Sequence, residues 1–184
     1  MTEGKLVIVQ FLNHYLSLAT LLGGVIVVLW FGALIYEWST KKETKILSTL
    51  TPYLLPLGFL STLGATLVSL YYSDYLGVLP CGLCWFQRVF IYSQVFLFAL
   101  AWKKNDTNIF SYSLVLSTVG MVVALYHHYL QMGYSELIPC PAIASTIDCA
   151  KPTFVEYGFI TFPFMSVVLF AFLITLSLHL CRRK

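Results

Sequence analysis

Residues 81–102 read CGLCWFQRVFIYSQVFLFALAW. Two cysteines at C-x-x-C spacing stand at the mouth of an apolar run, 85–102, whose one charge is Arg88. Crossing a hydrocarbon core about 30 Å thick takes roughly 20 helical residues, and this run is close to that length. Lipid-exposed backbone must satisfy its own hydrogen bonds, so the run reads as a helix. Four more stretches have the same character: 16–36, 54–72, 109–130 and 159–180. They are too long and too uniformly apolar for the alternating strands of a membrane barrel. Hydrophobic residues make up 59% of the chain and charged residues 10%, against about 45–50% and about 25% in globular proteins. A soluble domain is excluded, and the expected class is an all-α integral membrane protein with five spans.

Charge sets the expected orientation. Lys41, Lys42 and Lys45 follow the first run, Lys103 and Lys104 follow the third, and Arg182, Arg183 and Lys184 end the chain. On an alternating path these share one side, opposite Lys5 and Lys151. The excess of Lys and Arg marks the cytoplasmic side, which gives N-terminus out and C-terminus in. The net charge of +3 forms no patch on a soluble face, so no nucleic-acid partner is expected. The first run is too long for a typical signal-peptide core and is followed by no A-x-A site, so it is expected to be retained.

This topology puts Cys81, Cys84, Cys140 and Cys149 on the outer, oxidising side. Cys181 falls inside and reads as an unpaired tail residue. By itself a C-x-x-C closes either a reversible redox disulfide or a structural clamp. Cys84 lies in the first helical turn, where unpaired N–H groups and the helix dipole favour a thiolate. Arg88 follows four residues later, one turn deeper on the same face. An Arg in a span costs about 2.5–3.5 kcal/mol at mid-bilayer on insertion scales. It either stabilises charge on Cys84 or on a bound ligand, or it snorkels to the headgroups. His127, near the outer end of the fourth run, stands at a depth similar to Arg88. That depth suits a shared ligand site, although an apolar helix end also accommodates a structural His. His128 is about 100° further round the helix, so both cannot face one pocket.

Cys140 and Cys149 would close a small loop worth roughly 2.5–3 kcal/mol on the chain-entropy model. Such a bridge is either a static staple or an exchangeable disulfide that meets a soluble partner. Pro139 and Pro141 flank Cys140 and predict an extended, exposed segment. The C-x8-C spacing is a poor match to structural zinc sites, and no metal is expected.

The strings Cys81-Gly82-Leu83-Cys84-Trp85-Phe86-Gln87-Arg88, His127 with Leu130-Gln131, Cys140-Pro141, Cys149 and Tyr157-Gly158-Phe159-Ile160-Thr161-Phe162-Pro163 resemble the DsbB/BdbC disulfide bond formation proteins. The resemblance covers roughly residues 50–180. It implies a four-helix bundle at 51–184, preceded by an extra transmembrane helix and basic linker at 1–50. It further implies a bacterial cytoplasmic-membrane enzyme with its redox loops on the periplasmic or extracellular side. By position, Cys81 and Cys84 match the quinone-facing pair, and Cys140 and Cys149 the partner-facing pair. Arg88 and His127 match residues of the site for ubiquinone or menaquinone. Electrons would come from a DsbA-like thioredoxin-fold protein and leave through quinone to the respiratory chain. The closely spaced Cys140 and Cys149 sit nearer the BdbC branch, and the first span has no counterpart in the four-helix pattern. Two rivals remain at this point. A vitamin K epoxide reductase-like enzyme uses similar parts, but its loop cysteines precede the C-x-x-C. A membrane scaffold would carry two purely structural disulfides.

Overall fold

The computed structural model describes residues 3–42, 44–140 and 148–183. Its helices are α1 (Glu3–Thr40), a short α2 (Lys45–Leu50), α3 (Leu54–Leu70), α4 (Gly82–Lys104), α5 (Ile109–Gln131) and α6 (Phe162–Arg183). A 3-10 turn at Thr51–Tyr53 leads into α3, and a π-helical turn at Tyr71–Tyr75 ends it. Five segments are long and apolar enough to cross a membrane. No strand occurs among the described residues. One antiparallel bridge, Glu156 to Ile160, holds a tight turn ahead of α6, with positive φ at Tyr157 and Gly158. The chain is an all-α, multi-pass membrane protein.

The bundle is inside-out by the standards of a soluble domain, as lipid allows. Leu22, Val28, Leu29, Phe96, Val115 and Val122 are exposed, while several buried positions are polar. Gln94 accepts hydrogen bonds from the hydroxyls of Ser113 (2.6 Å) and Ser117 (3.3 Å), which joins α4 to α5. Small residues let helices approach closely. The Phe98 ring of α4 sits against Gly58 of α3, and the Phe170 ring of α6 against Gly120 of α5. Both rings are fully buried in a core with Phe110, Ala124, Leu173 and Leu176.

The first helix is longer than the run 16–36 predicts. At 38 residues it measures about 57 Å, nearly twice the hydrocarbon thickness. Polar residues that would end an apolar run are absorbed by tertiary partners. Asn13 Oδ1 accepts from the Tyr72 hydroxyl at 2.6 Å. Near the other end, buried Glu37 takes Arg182 Nη1 at 2.8 Å and both the N–H and hydroxyl of Thr44 at 2.6 Å. Trp30 Nε1 donates to His179 Nδ1 at 3.1 Å, two turns before that clamp. The last helix starts at Phe162 rather than at 159, because Phe159 and Ile160 belong to the bridged turn and Thr161 links it to the helix.

A Cβ on Gly120 would overlap the Phe170 ring, whereas one on Gly32 meets nothing within 4 Å. Gly120→Ala is expected to destabilise the detergent-solubilised protein by about 1–3 kcal/mol, the cost of overpacking, and Gly32→Ala to leave it unchanged. Thermal unfolding of the two variants beside the parent checks this.

Candidate active site

The site lies where α4 begins and α5 ends. Four backbone N–H groups at a helix start lack intrahelical partners. Cys81, in extended conformation (φ −75°, ψ 172°), is the N-cap, and its sulfur accepts the Cys84 N–H at 3.2 Å. The sequence alone directs the helix N-terminus toward Cys84; the structure gives that hydrogen bond to Cys81. Cys81 is buried, Cys84 only partly so, and both are free thiols.

His127 approaches from α5 and is fully buried. The Gln87 amide donates to its Nδ1 at 2.9 Å, and the other ring nitrogen, Nε2, faces Cys81. That nitrogen lies 3.5 Å from the Cys81 sulfur. Gln131, one turn along α5, brings its amide nitrogen to 3.2 Å from the same nitrogen, and its Oε1 is buried without a hydrogen-bond partner. The Cys84 thiol hydrogen bond, followed by His127, holds the Cys81 thiol well below the ordinary cysteine range, although burial pushes the other way. His128 turns elsewhere: its Nδ1 is 3.1 Å from Thr161 Oγ1 and its ring packs on Phe164.

Arg88 is held by α3. Its Nη2 donates to the Ser69 carbonyl at 3.0 Å, just ahead of the π turn, and its guanidinium lies 5.2 Å from the Trp85 ring centre. Cys84, Gln87, Arg88 and His127 all line one cavity of about 470 Å³. Its other walls are mostly apolar and come from α1, α3 and α6. Arg88 and His127 thus share a cavity, as their depth predicts, but the α4 residue that bonds His127 is Gln87. A separate groove of about 560 Å³ between α1 and α3, lined by Val7, Phe11, Leu67 and Tyr71, holds no cysteine.

Cys140 and Cys149 form a disulfide, with Cα atoms 6.0 Å apart. The segment before Cys140 is pinned to α5, where the Tyr126 hydroxyl accepts the Ile138 N–H at 2.8 Å. Leu137 and Ile138 are exposed and Cys140 is partly buried. Pro141 lies outside the described residues. Cys149 is fully buried, in one apolar cluster with Cys81, Leu83 and Leu130; Cys84 and Cys140 pack against that cluster. The two cysteine pairs are therefore neighbours. Cys181 is exposed and free at the far end of α6.

The family model for disulfide bond formation protein DsbB matches residues 52–180. The chain belongs to the DsbB family. It is 38% identical over 128 residues to the SPbeta prophage-derived disulfide bond formation protein B of Bacillus subtilis, covering 70% of this chain and 84% of that protein. It is 34% identical over 126 residues to the probable disulfide formation protein C of Halalkalibacterium halodurans, covering 68% of this chain and 91% of the relative. Against the disulfide bond formation protein C of Bacillus subtilis the identity is 33% over 112 residues, 60% of this chain and 79% of the relative. No solved structure matches the chain. The DsbB match spans α3 to α5, most of α6 and Cys81, Cys84, Cys140 and Cys149, and leaves α1 and α2 outside.

Three contributors had no role in the sequence reading: Gln87, Gln131 and the α1 wall. Gln87 carried a usable signal. A polar residue one turn from Cys84 in a lipid-exposed helix needs a partner, and His127 is at the right depth to be one.

The geometry around Cys81 yields a pH prediction. With its pKa lowered, the Cys81 thiolate persists at neutral pH and is lost only as pH falls through the lowered value. In a Cys140→Ala/Cys149→Ala/Cys181→Ser protein, thiolate absorbance near 240 nm is expected to titrate well below the ordinary value of about 8.5. Replacing His127 with Ala removes one donor and is expected to move that midpoint up.

Proposed function

We propose that this protein reoxidises a DsbA-like thioredoxin-fold partner and passes the electrons through its two cysteine pairs to a membrane quinone. The observation that carries the reading is the meeting of Cys84, Gln87, Arg88 and His127 on one largely apolar cavity, beside the cluster that buries Cys149. In this reading residues 51–184 are the redox domain of a bacterial cytoplasmic-membrane protein. Its N-terminus is outside, its C-terminus inside, and both cysteine loops are on the outer face.

The relay begins at Cys140, the more exposed sulfur of the loop pair. A partner thiolate attacks it and displaces Cys149; the partner's second thiol then resolves the mixed disulfide and leaves the loop pair reduced. A loop thiolate next attacks the Cys81–Cys84 disulfide, which restores the loop bridge and leaves the inner pair as thiols. Cys81 is stabilised as a thiolate by its convergent donors, and Cys84 presents its sulfur to the cavity. Closing the Cys81–Cys84 bond again releases two electrons. The cavity residues fit a quinone: apolar walls suit the ring, and Arg88 supplies a cationic donor for a carbonyl oxygen. A bound quinone supplies the oxidising power, taking up two electrons and two protons. Because a 30 mV difference is about 1.4 kcal/mol for a two-electron couple, modest differences between pairs are enough to set direction.

The test uses the purified full-length protein, a reduced DsbA-like protein, and ubiquinone or menaquinone, with quinone absorbance followed over time. Cys81→Ala and Cys84→Ala are each expected to abolish quinone reduction. Cys140→Ala is expected to block oxidation of the protein partner while a small dithiol still drives quinone reduction through the inner pair. Losing one charge-assisted hydrogen bond of roughly 1.5–3 kcal/mol in Arg88→Met is expected to raise the quinone KM by about tenfold or more. Normal quinone reduction by Cys84→Ala would rule the relay out.

A further inference from the structure

The first helix lies outside the family match, yet it is fixed across the cavity from both ends. At the basic end, Glu37 holds Arg182 of α6. At the other end, Asn13 receives the Tyr72 hydroxyl, and His14 lies 6.1 Å ring to ring from Tyr157 in the turn before α6. Between these ties α1 leans on α6, where Gly23 and Gly24 come up against Val168. α3 and α6 meet each other only sparsely, and α1 covers the seam between them.

The cavity reaches that seam. Its α1 wall is Leu16, Ala19, Thr20, Gly23 and Val27, positions that share one helical face and span about 16 Å along the axis. The Thr20 hydroxyl bonds to the Leu16 carbonyl at 2.7 Å within its own helix, which satisfies it internally. The middle of the wall is made of small side chains, which leaves room. The polar end of the same cavity is Cys84, Arg88 and His127; away from it the lining continues through Ile91 and Phe172. A space with a polar redox end and a long apolar body matches an amphipathic ligand with a compact head and a hydrocarbon tail.

We infer that α1 is the lipid-side wall of a tail-binding slot, and that the first isoprenoid units of a long-tailed quinone lie against Ala19, Thr20 and Gly23. This rests on the quinone reading of the site and adds to it a subsite that the four-helix core lacks. In that core alone, the tail would leave between α3 and α6 directly into lipid. Here α1 encloses its first stretch.

The test is equilibrium binding to the full-length protein in detergent, read by quenching of tryptophan emission. The probes are a polyprenyl quinone and a tail-less quinone with the same head group. Gly23→Leu and Ala19→Leu each put a branched side chain into the slot. Each is expected to weaken polyprenyl quinone binding by about tenfold, the equivalent of roughly two buried methylenes, and tail-less quinone binding by less than about twofold. Gly23 has room for a Cβ, its nearest neighbour being Val168 at 3.9 Å, and Ala19→Leu gives a second variant should the first fold poorly. Gly32→Leu, on the same helix and outside the cavity, is expected to change neither affinity. Equal weakening of both probes, or no weakening of either, would overturn the slot. A parent protein that binds neither quinone would instead overturn the acceptor reading on which it rests.

Discussion

A helix that begins at the edge of a membrane has to dispose of its first N–H groups where water is scarce. In α4 a sulfur atom does part of this work. Cys81 caps the helix through its side chain, and the cap fixes much else. It sets the sulfur against His127 and leaves Cys84, three residues on, turned toward the cavity. It also starts the helix in the phase that puts Gln87 under the His127 ring and Arg88 beside the Ser69 carbonyl. An N-cap residue without a side-chain acceptor would lose the capping bond, usually worth about 1 kcal/mol, together with the sulfur on which Cys84 and His127 converge.

The opposite end of the molecule is held by a different device. Glu37 is almost wholly buried, and a buried carboxylate is costly unless paired and hydrogen-bonded. Arg182 and Thr44 supply both needs, so the contact is directional and sets where α1 meets α6. Truncating Arg182, which is itself partly accessible, would leave the Glu37 carboxylate in low dielectric, so the pair works as a register lock more than as a source of net stability. Its consequence appears some distance away, because a helix fixed at Glu37 and Asn13 presents a fixed face at Ala19 and Gly23. The wall of the cavity and the lock at the basic end are two results of the same placement.

Much of this was legible in the sequence wherever helical geometry alone decides. Apolar run lengths located the spans, the four-residue step from Cys84 to Arg88 put both on one face, and helix ends of matching depth linked Arg88 with His127. What was hidden depended on contacts between segments distant in sequence. The cap belongs to Cys81 because of its extended backbone, which no residue count reveals. Asn13, His14 and Glu37 look like interruptions that should confine the first span to 16–36, and only their partners on α3, α6 and the bridged turn show why the helix continues from Glu3 to Thr40. The expectation of an extended, exposed Cys140 followed from its flanking prolines, but Cys140 is partly buried because it packs against the cluster around Cys81 and Leu130. The full burial of Cys149, which belongs to the same disulfide, depends on packing beside Cys81 and Leu130 and had no local signal.

That burial difference bears on how a four-sulfur relay keeps its order. Thiol–disulfide exchange needs access to the sulfur attacked, and a relay fails if a soluble thiol can skip to the last pair. Here accessibility falls and then changes direction along the path. Cys140 is partly open, Cys149 and Cys81 are buried in one cluster, and Cys84, partly buried, lines the cavity. In the proposed relay a soluble protein thiolate would meet Cys140 before Cys149 or Cys81, and a lipid-borne acceptor in the cavity would meet Cys84. The two buried sulfurs between them would be shielded from both, so on that proposal electrons would cross only through exchange within the cluster. Burial usually makes a cysteine inert; in the proposed relay it would separate the two reactants and make the order of transfer a property of the packing.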